Sequence, residues 1–175
     1  MSRFSLVVSM SCLVLVCSCG SDSPGIDPSL EQAAISAAQA TQAGTFTQIN
    51  ETPIAVDDET PALRINVFVP DALAAGYRQF VPGQDNRSLA IPTDFTAVLE
   101  IKDVQDNLLR YEVMVHAPGV EGVEEGDFYW TEVNVAATEV NSETDVAACI
   151  QCHNDSTGNR GLIVGVAADN RAPVN

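Results

Sequence analysis

The residues best suited to chemistry are two cysteines and a histidine near the C-terminus. Cys149 and Cys152 are separated by two residues, and His153 follows the second cysteine directly. A Cys-x-x-Cys-His run is the attachment pattern for c-type haem. On one helical turn the two sulfurs can reach the two vinyl groups of one porphyrin edge, while the next side chain points at the iron. The motif therefore predicts one covalently attached haem c, with His153 as the proximal iron ligand.

Three other interpretations of the motif stay open. A zinc site needs two further ligands, but the only other histidine is His116 and there is no second cysteine pair. A redox dithiol is expected within a thioredoxin-like βαβ pattern, which the flanking sequence lacks. A chance match of so short a pattern is the third. The exported context of the chain favours haem.

The N-terminus predicts export and lipidation. Arg3 supplies a small positive region, and an apolar run from Leu6 to Val16 is too short to span a bilayer. The segment Val16-Cys17-Ser18-Cys19-Gly20 resembles a bacterial lipobox, which predicts cleavage before Cys19 and lipidation of that cysteine. Two or more acyl chains anchor a protein stably. An ordinary secretory peptide cut near Ser21 is the alternative.

These features divide the chain into three parts. We expect a signal peptide over residues 1–18, a flexible tether over 19–28 and one haem domain over 29–175. The predicted location is the periplasmic face of a membrane, and the residue after the lipidated cysteine, Gly20, favours the outer membrane of a Gram-negative bacterium. All five cysteines are then accounted for without a disulfide, since Cys12 and Cys17 leave with the signal.

The chain is strongly acidic, with a formal net charge of −16, or −17 once Arg3 leaves with the signal. So much negative charge argues against nucleic acid and anionic membrane surfaces as partners. It favours a basic redox partner protein or a cationic substrate, although acidity is also a plain solubility device. The lipid anchor is the predicted membrane contact, and a homodimer is one assembly that the sequence leaves open.

The hydrophobic pattern predicts an α+β fold, predominantly antiparallel sheet with about three short helices. We expect a helix capped by Ser29 and ended by Gly44, and a short helix from Asp71 to Phe80. A further helix capped by Ser142 is expected to carry the haem motif. The predicted strands outside the central hairpin are Ala62–Val69, Phe128–Val135 and a closing strand at Gly161–Ala167.

The clearest prediction is a hairpin over Thr96–His116 with a loop at Gln105-Asp106-Asn107. Pairing Val104 with Leu108 sorts its side chains into a core face and a mixed polar face. The core face would carry Ala97, Leu99, Ile101, Tyr111, Val113 and Val115. The polar face, which could border a cofactor, would carry Val98, Glu100, Lys102, Arg110, Glu112, Met114 and His116.

The order of these pieces resembles the cytochrome P-460 and cytochrome c′-β family, a β-rich domain with one C-terminal haem motif. The matching stretches, which together span roughly residues 60–167, are Tyr77-Arg78-Gln79-Phe80, Ala97 to Val104, Tyr111 to Val115, Gly126-Asp127-Phe128-Tyr129-Trp130 and Cys149 to His153. The resemblance implies an iron that binds small ligands opposite His153. In the P-460 branch a lysine is bonded to the porphyrin and hydroxylamine is oxidised, whereas the c′-β branch binds nitric oxide or carbon monoxide.

The resemblance gives individual residues a role, each beside a plainer alternative. Lys102, the only lysine, aligns with the crosslinking lysine but could be a solvated charge. Glu100 and Glu112 are the candidate carboxylates beside it. Met114 or His116 could supply a sixth iron ligand and so make a closed electron carrier. The alternatives are a core methionine and a hydrogen-bonded histidine at a strand end.

Overall fold

A computed structural model describes residues 27–56, 61–80, 90–120, 127–141, 153 and 165–173. The strands are β1 (Phe46–Gln48), β2 (Ile54–Val56), β3 (Leu63–Pro70), β4 (Thr96–Asp103), β5 (Leu108–His116), β6 (Phe128–Val133) and β7 (Val140–Asn141). The helices are α1 (Pro28–Gln42), α2 (Asp71–Tyr77) and a 3-10 helix at Ala168–Asn170. The strands form one antiparallel sheet in the order β1-β3-β4-β5-β6-β7, with β2 also paired to β3. The predicted α+β fold is confirmed, while the predicted helix at the haem motif lies outside the described residues, apart from His153.

Helix α1 begins earlier than predicted. The cap is Asp27, whose carboxylate accepts a hydrogen bond from the Ser29 backbone N–H at 2.9 Å, so the prediction of Ser29 as cap is wrong. Pro28 takes the first helical position, where its missing N–H costs nothing. Part of the predicted tether therefore belongs to the helix. Gly44 follows the helix end with φ +69°, which agrees with the predicted stop.

Strand β3 and helix α2 follow one another without a loop. The alternation predicted for β3 is confirmed, since Val67 and Val69 are buried on one face. The predicted capping role of Asp71 is wrong, because α2 has no side-chain cap and already begins at this residue. The Asp71 carboxylate instead accepts a hydrogen bond from the Thr47 hydroxyl at 2.6 Å, which ties α2 to β1.

The β4–β5 hairpin has the predicted strands in a different register. Ala97 pairs with Met114 and Glu100 with Tyr111, one residue away from the predicted alignment. Near the turn Lys102 pairs with Leu108 and Ile101 with Arg110, so β5 contains one extra residue, a β-bulge. A shift of one residue exchanges the faces of one strand relative to the other. The predicted division into a core face and a polar face is therefore wrong.

Both faces of the sheet are buried. The Trp130 face, named after its largest side chain, packs against α2 and contains Ile49, Val67, Val69, Ala74, Tyr77, Phe80, Phe95, Ala97, Met114, Phe128, Trp130 and Val166. The α1 face packs against α1 and contains Leu30, Ala34, Ala37, Ala38, Val98, Tyr111, Val113, Val115, Ala117, Tyr129, Val133 and Ala137. Strand alternation separates the two sets, since neighbouring residues point to opposite faces.

The C-terminal segment is held by hydrogen bonds to the start of the domain. Asn170 accepts from the backbone and hydroxyl of Thr52, each at 2.8 Å, and Arg171 forms a bridge with Asn50. Residues 165–167 have no strand structure, which contradicts that part of the predicted closing strand; residues 161–164 lie outside the described residues. No helix in the described ranges is both long and apolar enough to cross a membrane.

Candidate cofactor site

His153 is the described residue of the Cys-x-x-Cys-His motif, and it lies against the Trp130 face. The ring centroids of His153 and Trp130 are 4.6 Å apart, with the planes at 81°, so the two rings meet edge to face. Trp130 is 7% exposed and pairs across the sheet with Met114. The predicted iron ligand is therefore next to a buried aromatic side chain at the centre of β6.

An aromatic cluster extends from this contact. Phe128 meets Trp130 edge to face at 6.1 Å, Phe95 meets Phe128 in the same way, and Tyr77 stacks on Phe95 at 6.0 Å. Burial raises the pKa of the Tyr77 hydroxyl, and the charge of Arg171 opposes this to a smaller extent. Tyr77 is therefore neutral at physiological pH. The cluster gives His153 a rigid apolar neighbour on which a flat aromatic group could pack.

The two candidates for a sixth ligand lie on the same face as His153. Met114 is 4% exposed within the apolar cluster, which agrees with the alternative of a core methionine. His116, at the end of β5, has its Nδ1 2.8 Å from the carbonyl oxygen of Pro92 and its ring 5.0 Å from that of Phe128. It is thus a hydrogen-bonded histidine at a strand end. Iron-bound histidines commonly make the same bond with their second nitrogen, so ligation stays a prediction for His116.

Lys102 and Glu100 lie on the opposite face, so their predicted grouping with Glu112 and Met114 is wrong. The cause is the hairpin register, which pairs Glu100 with Tyr111 of the α1 face. Lys102 is also five residues along β4 from Ala97, the partner of Met114. At about 3.4 Å per residue this is about 17 Å. A bond from Lys102 to a group held by His153 is not supported by this placement, and we do not propose it.

The Lys102 amine is charged and paired. Its Nζ lies 3.1 Å from Asp106 Oδ1 and 3.7 Å from Glu100 Oε2. Burial lowers the pKa of Lys102, but the hydrogen bonds and charges of Asp106 and Glu100 outweigh that effect, so the pKa is raised. The expectation of a neutral, nucleophilic Lys102 does not fit these contacts.

Glu112 is the predicted carboxylate that does share a face with His153. It pairs across the sheet with Glu132, a residue that the sequence analysis did not single out. Arg110 lies between them, with Nη2 2.7 Å from Glu112 Oε1 and Nε 3.4 Å from Glu132 Oε1. Arg110 is therefore a shared cationic partner of two adjacent carboxylates at one end of the Trp130 face.

Among the residues that the structure describes, three buried side-chain nitrogens have no hydrogen-bond partner: Trp130 Nε1, Arg78 Nε and Arg78 Nη1. Buried donors are nearly always paired in folded proteins, so we expect a hydrogen-bond acceptor beside each of these atoms. Trp130 belongs to the face that carries His153, and Arg78 lies between two members of that face, Tyr77 and Phe80. Neither residue could be identified as a donor from the sequence, because neither pattern nor spacing marks an unpaired atom.

These residues fit a haem group. The imidazole of His153 suits the iron, the aromatic cluster suits the porphyrin plane, and the unpaired donors suit its carboxylates. Cys149 and Cys152, which would form the thioethers, lie outside the described residues, as does the predicted lipidation site Cys19. Among the residues that the structure describes, no group of three or more histidine, cysteine or acidic side chains is arranged to hold a metal ion by itself.

Comparison with family models, with curated proteins and with solved structures finds no match to this chain.

Proposed function

We propose that this protein is a monohaem c-type cytochrome that binds small nitrogenous or diatomic ligands at its iron. Cys149 and Cys152 hold haem c through thioethers, and His153 is the proximal ligand. Haem c would supply an iron for ligand binding and one-electron exchange. The observation that supports this most is the edge-to-face contact of His153 with Trp130, because it joins the motif to an apolar face with unpaired donors.

The chain's own residues would have three tasks at such a site. Trp130 orients the imidazole of His153 through ring packing, which is how neighbouring groups tune an iron ligand. The aromatic cluster excludes water from one side of the ring system and so lowers the local dielectric. Glu112 and Glu132, which both contact Arg110, are candidates on this face for exchanging a proton with a bound ligand.

Of the two branches of the resembling family, these contacts favour the one without a lysine crosslink. The oxidation of hydroxylamine in the P-460 branch goes with a lysine bonded to the porphyrin. Here Lys102 lies on the α1 face in an ion pair with Asp106. We therefore propose ligand binding, such as that of nitric oxide, ahead of hydroxylamine oxidation.

A membrane-tethered electron carrier is the second candidate. The specific observation in its favour is Met114, buried on the His153 face directly beside Trp130. If Met114 or His116 filled the sixth position, the iron could not bind external ligands.

One experiment separates these functions. The haem-loaded protein is reduced, and its visible spectrum is recorded with and without carbon monoxide. Ligand binding predicts a large spectral change on adding carbon monoxide and a normal c-type pyridine haemochrome. A carrier predicts no change with carbon monoxide, and Met114→Ala or His116→Ala should then open the iron. A protein without covalent haem, or with a crosslink-altered spectrum, would contradict the proposal.

A further inference from the structure

Two arginines meet at the end of α2 to form what we call the arginine corner, made of Arg78 and Arg171. Nη2 of Arg78 donates to the carbonyl oxygen of Ala172 at 3.3 Å, and Nη2 of Arg171 donates to the carbonyl oxygen of Phe80 at 3.2 Å. Nε of Arg171 donates to the carbonyl oxygen of Val166 at 2.9 Å. The two side chains thus join α2 to the C-terminal segment, and each binds backbone oxygens.

Within the described part of the chain, no negative charge balances the arginine corner. Among the described residues, no carboxylate lies within ion-pair distance of either arginine, whereas Lys102 and Arg110 each contact two. This is unexpected in a chain with 24 acidic and 8 basic residues. Tyr77, the adjacent polar side chain, is neutral and cannot be the counter-ion.

Arg78 in addition has Nε and Nη1 buried without an acceptor. A buried guanidinium is costly unless it is paired and its donors are satisfied. Its planar arrangement of donors matches a carboxylate. The corner also borders the Trp130 face, since Phe80 and Val166, whose carbonyls it binds, are members of that cluster.

We infer that Arg78 donates through Nε and Nη1 to a propionate of haem c, with Arg171 supplying a second positive charge. This inference rests on the proposed function. The propionates are the anionic groups of haem c, and the corner is the described cationic site without a carboxylate on the side of the sheet that carries His153. A free anion such as phosphate has similar chemistry, and the experiment separates the two.

The test compares reduction potentials of the haem-loaded full chain. Without Arg78 the propionate charge is uncompensated, which disfavours adding an electron to the haem. We expect Arg78→Gln to lower the equilibrium constant for reduction about tenfold, which is about 59 mV for a one-electron couple. Arg78→Lys, which keeps the charge, should fall between this variant and the wild type. The matched control is Arg64→Gln, which removes one positive charge from the α1 face and should shift the equilibrium less than about twofold.

Two outcomes would overturn this inference and leave the proposed function standing. One is an equal shift in Arg78→Gln and Arg64→Gln. The other is a wild-type potential that depends on added phosphate while that of Arg78→Gln does not, because a free anion would then occupy the corner. If Arg78→Gln fails to fold, infrared spectra of protein with isotope-labelled haem carboxylates decide. The carboxylate bands should differ between the wild type and Arg78→Lys, and identical bands would contradict the inference. Wild-type protein without covalent haem would instead contradict the proposed function itself.

Discussion

The indole ring of Trp130 lies edge to face against the imidazole ring of His153, with centroids 4.6 Å apart and planes at 81°. Because Trp130 is held in β6 by its pairing with Met114 of β5, this contact fixes the imidazole relative to a rigid element. If His153 ligates the iron as proposed, this contact restricts the orientation of its ring, and groups that orient a ligand tune its bond to the metal.

Replacing Trp130 should therefore change both stability and the iron–imidazole bond. Trp130→Ala should lower the free energy of unfolding by about 3–5 kcal/mol, the usual cost of removing a buried tryptophan. Trp130→Phe keeps an aromatic ring at this position but changes its contact with His153. It should therefore shift the iron–histidine stretching band in resonance Raman spectra of the reduced protein. Tyr129→Phe, on the α1 face, is the control and should leave that band in place. An unmoved band in Trp130→Phe would argue against a positioning role.

Covalent haem attachment makes a direct prediction for the motif. Haem should stay with the wild-type polypeptide through a denaturing gel and through acidified organic solvent, since thioethers survive both. The double variant Cys149→Ala, Cys152→Ala should lose it. His153→Ala should keep attached haem but lose the normal spectrum. Extraction of haem from the wild type would refute the attachment.

Lipidation of Cys19 predicts where the protein is found in the cell. Wild-type protein should sediment with membranes, and Cys19→Ala should appear in the soluble periplasmic fraction, because the acyl chains provide the anchor. Cys17→Ala removes the neighbouring thiol only and should leave the protein in the membrane fraction. A Cys19→Ala protein that stays in the membrane fraction would count against the lipid anchor.

Lys102 should be dispensable for the haem spectrum. Lys102→Gln removes an ion pair with Asp106, which is mostly exposed, and a longer one with Glu100, which keeps a hydrogen bond from Asn66, so the loss of stability should stay below about 1 kcal/mol. The pKa of Lys102 is raised above its ordinary value of 10.5, so its contribution is present below that pH and is lost as the pH rises through the raised value. Urea unfolding at neutral and alkaline pH measures this. A change of carbon monoxide binding in Lys102→Gln would indicate that Lys102 lies at the haem and would contradict this prediction.

The hairpin register explains why Lys102 was predicted on the wrong face of the sheet. The alternation of apolar and polar residues predicts strand register well when one face of a sheet is exposed to solvent, but both faces of this sheet are buried. The pattern then contains apolar residues in either alignment, and the extra residue in β5 is decided by the turn. The positions of β3, β4, β5 and β6 and the fold class could be predicted from alternation, whereas the face of each hairpin side chain could not.

The candidate site likewise contains residues that could be predicted from the sequence and residues that could not. The haem motif is local in sequence, so Cys149, Cys152 and His153 could be identified from spacing. The arginine corner joins Arg78 to Ala172, 94 residues apart, and no local pattern marks such a contact. The missing acceptors of Arg78 and Trp130 depend on burial, which exists only after folding.

Asp103 holds the turn that sets this register. Its carboxylate accepts hydrogen bonds from the backbone N–H groups of Gln105 and Asn107, both at 2.9 Å, and from the side-chain amide of Asn107 at 2.8 Å. The hydrogen bond from the Asn107 side chain, followed by those from the backbone, lowers the pKa of Asp103 below its ordinary value of 3.8, and desolvation opposes this only partly.

Replacing Asp103 should therefore destabilise the protein in a pH-dependent way. Because the folded-state pKa is lowered, the contribution of Asp103 is fully present above pH 3.8 and is lost as the pH falls through the lower value. Asp103→Ala should be less stable than the wild type at neutral pH, and Asp103→Asn, which keeps one acceptor oxygen, should lie between them. Urea unfolding between neutral and acid pH should show these differences shrinking as the pH falls. The exposed Asp169→Asn serves as control, and a difference that persists unchanged in acid would mean that the charge of Asp103 does not hold the turn.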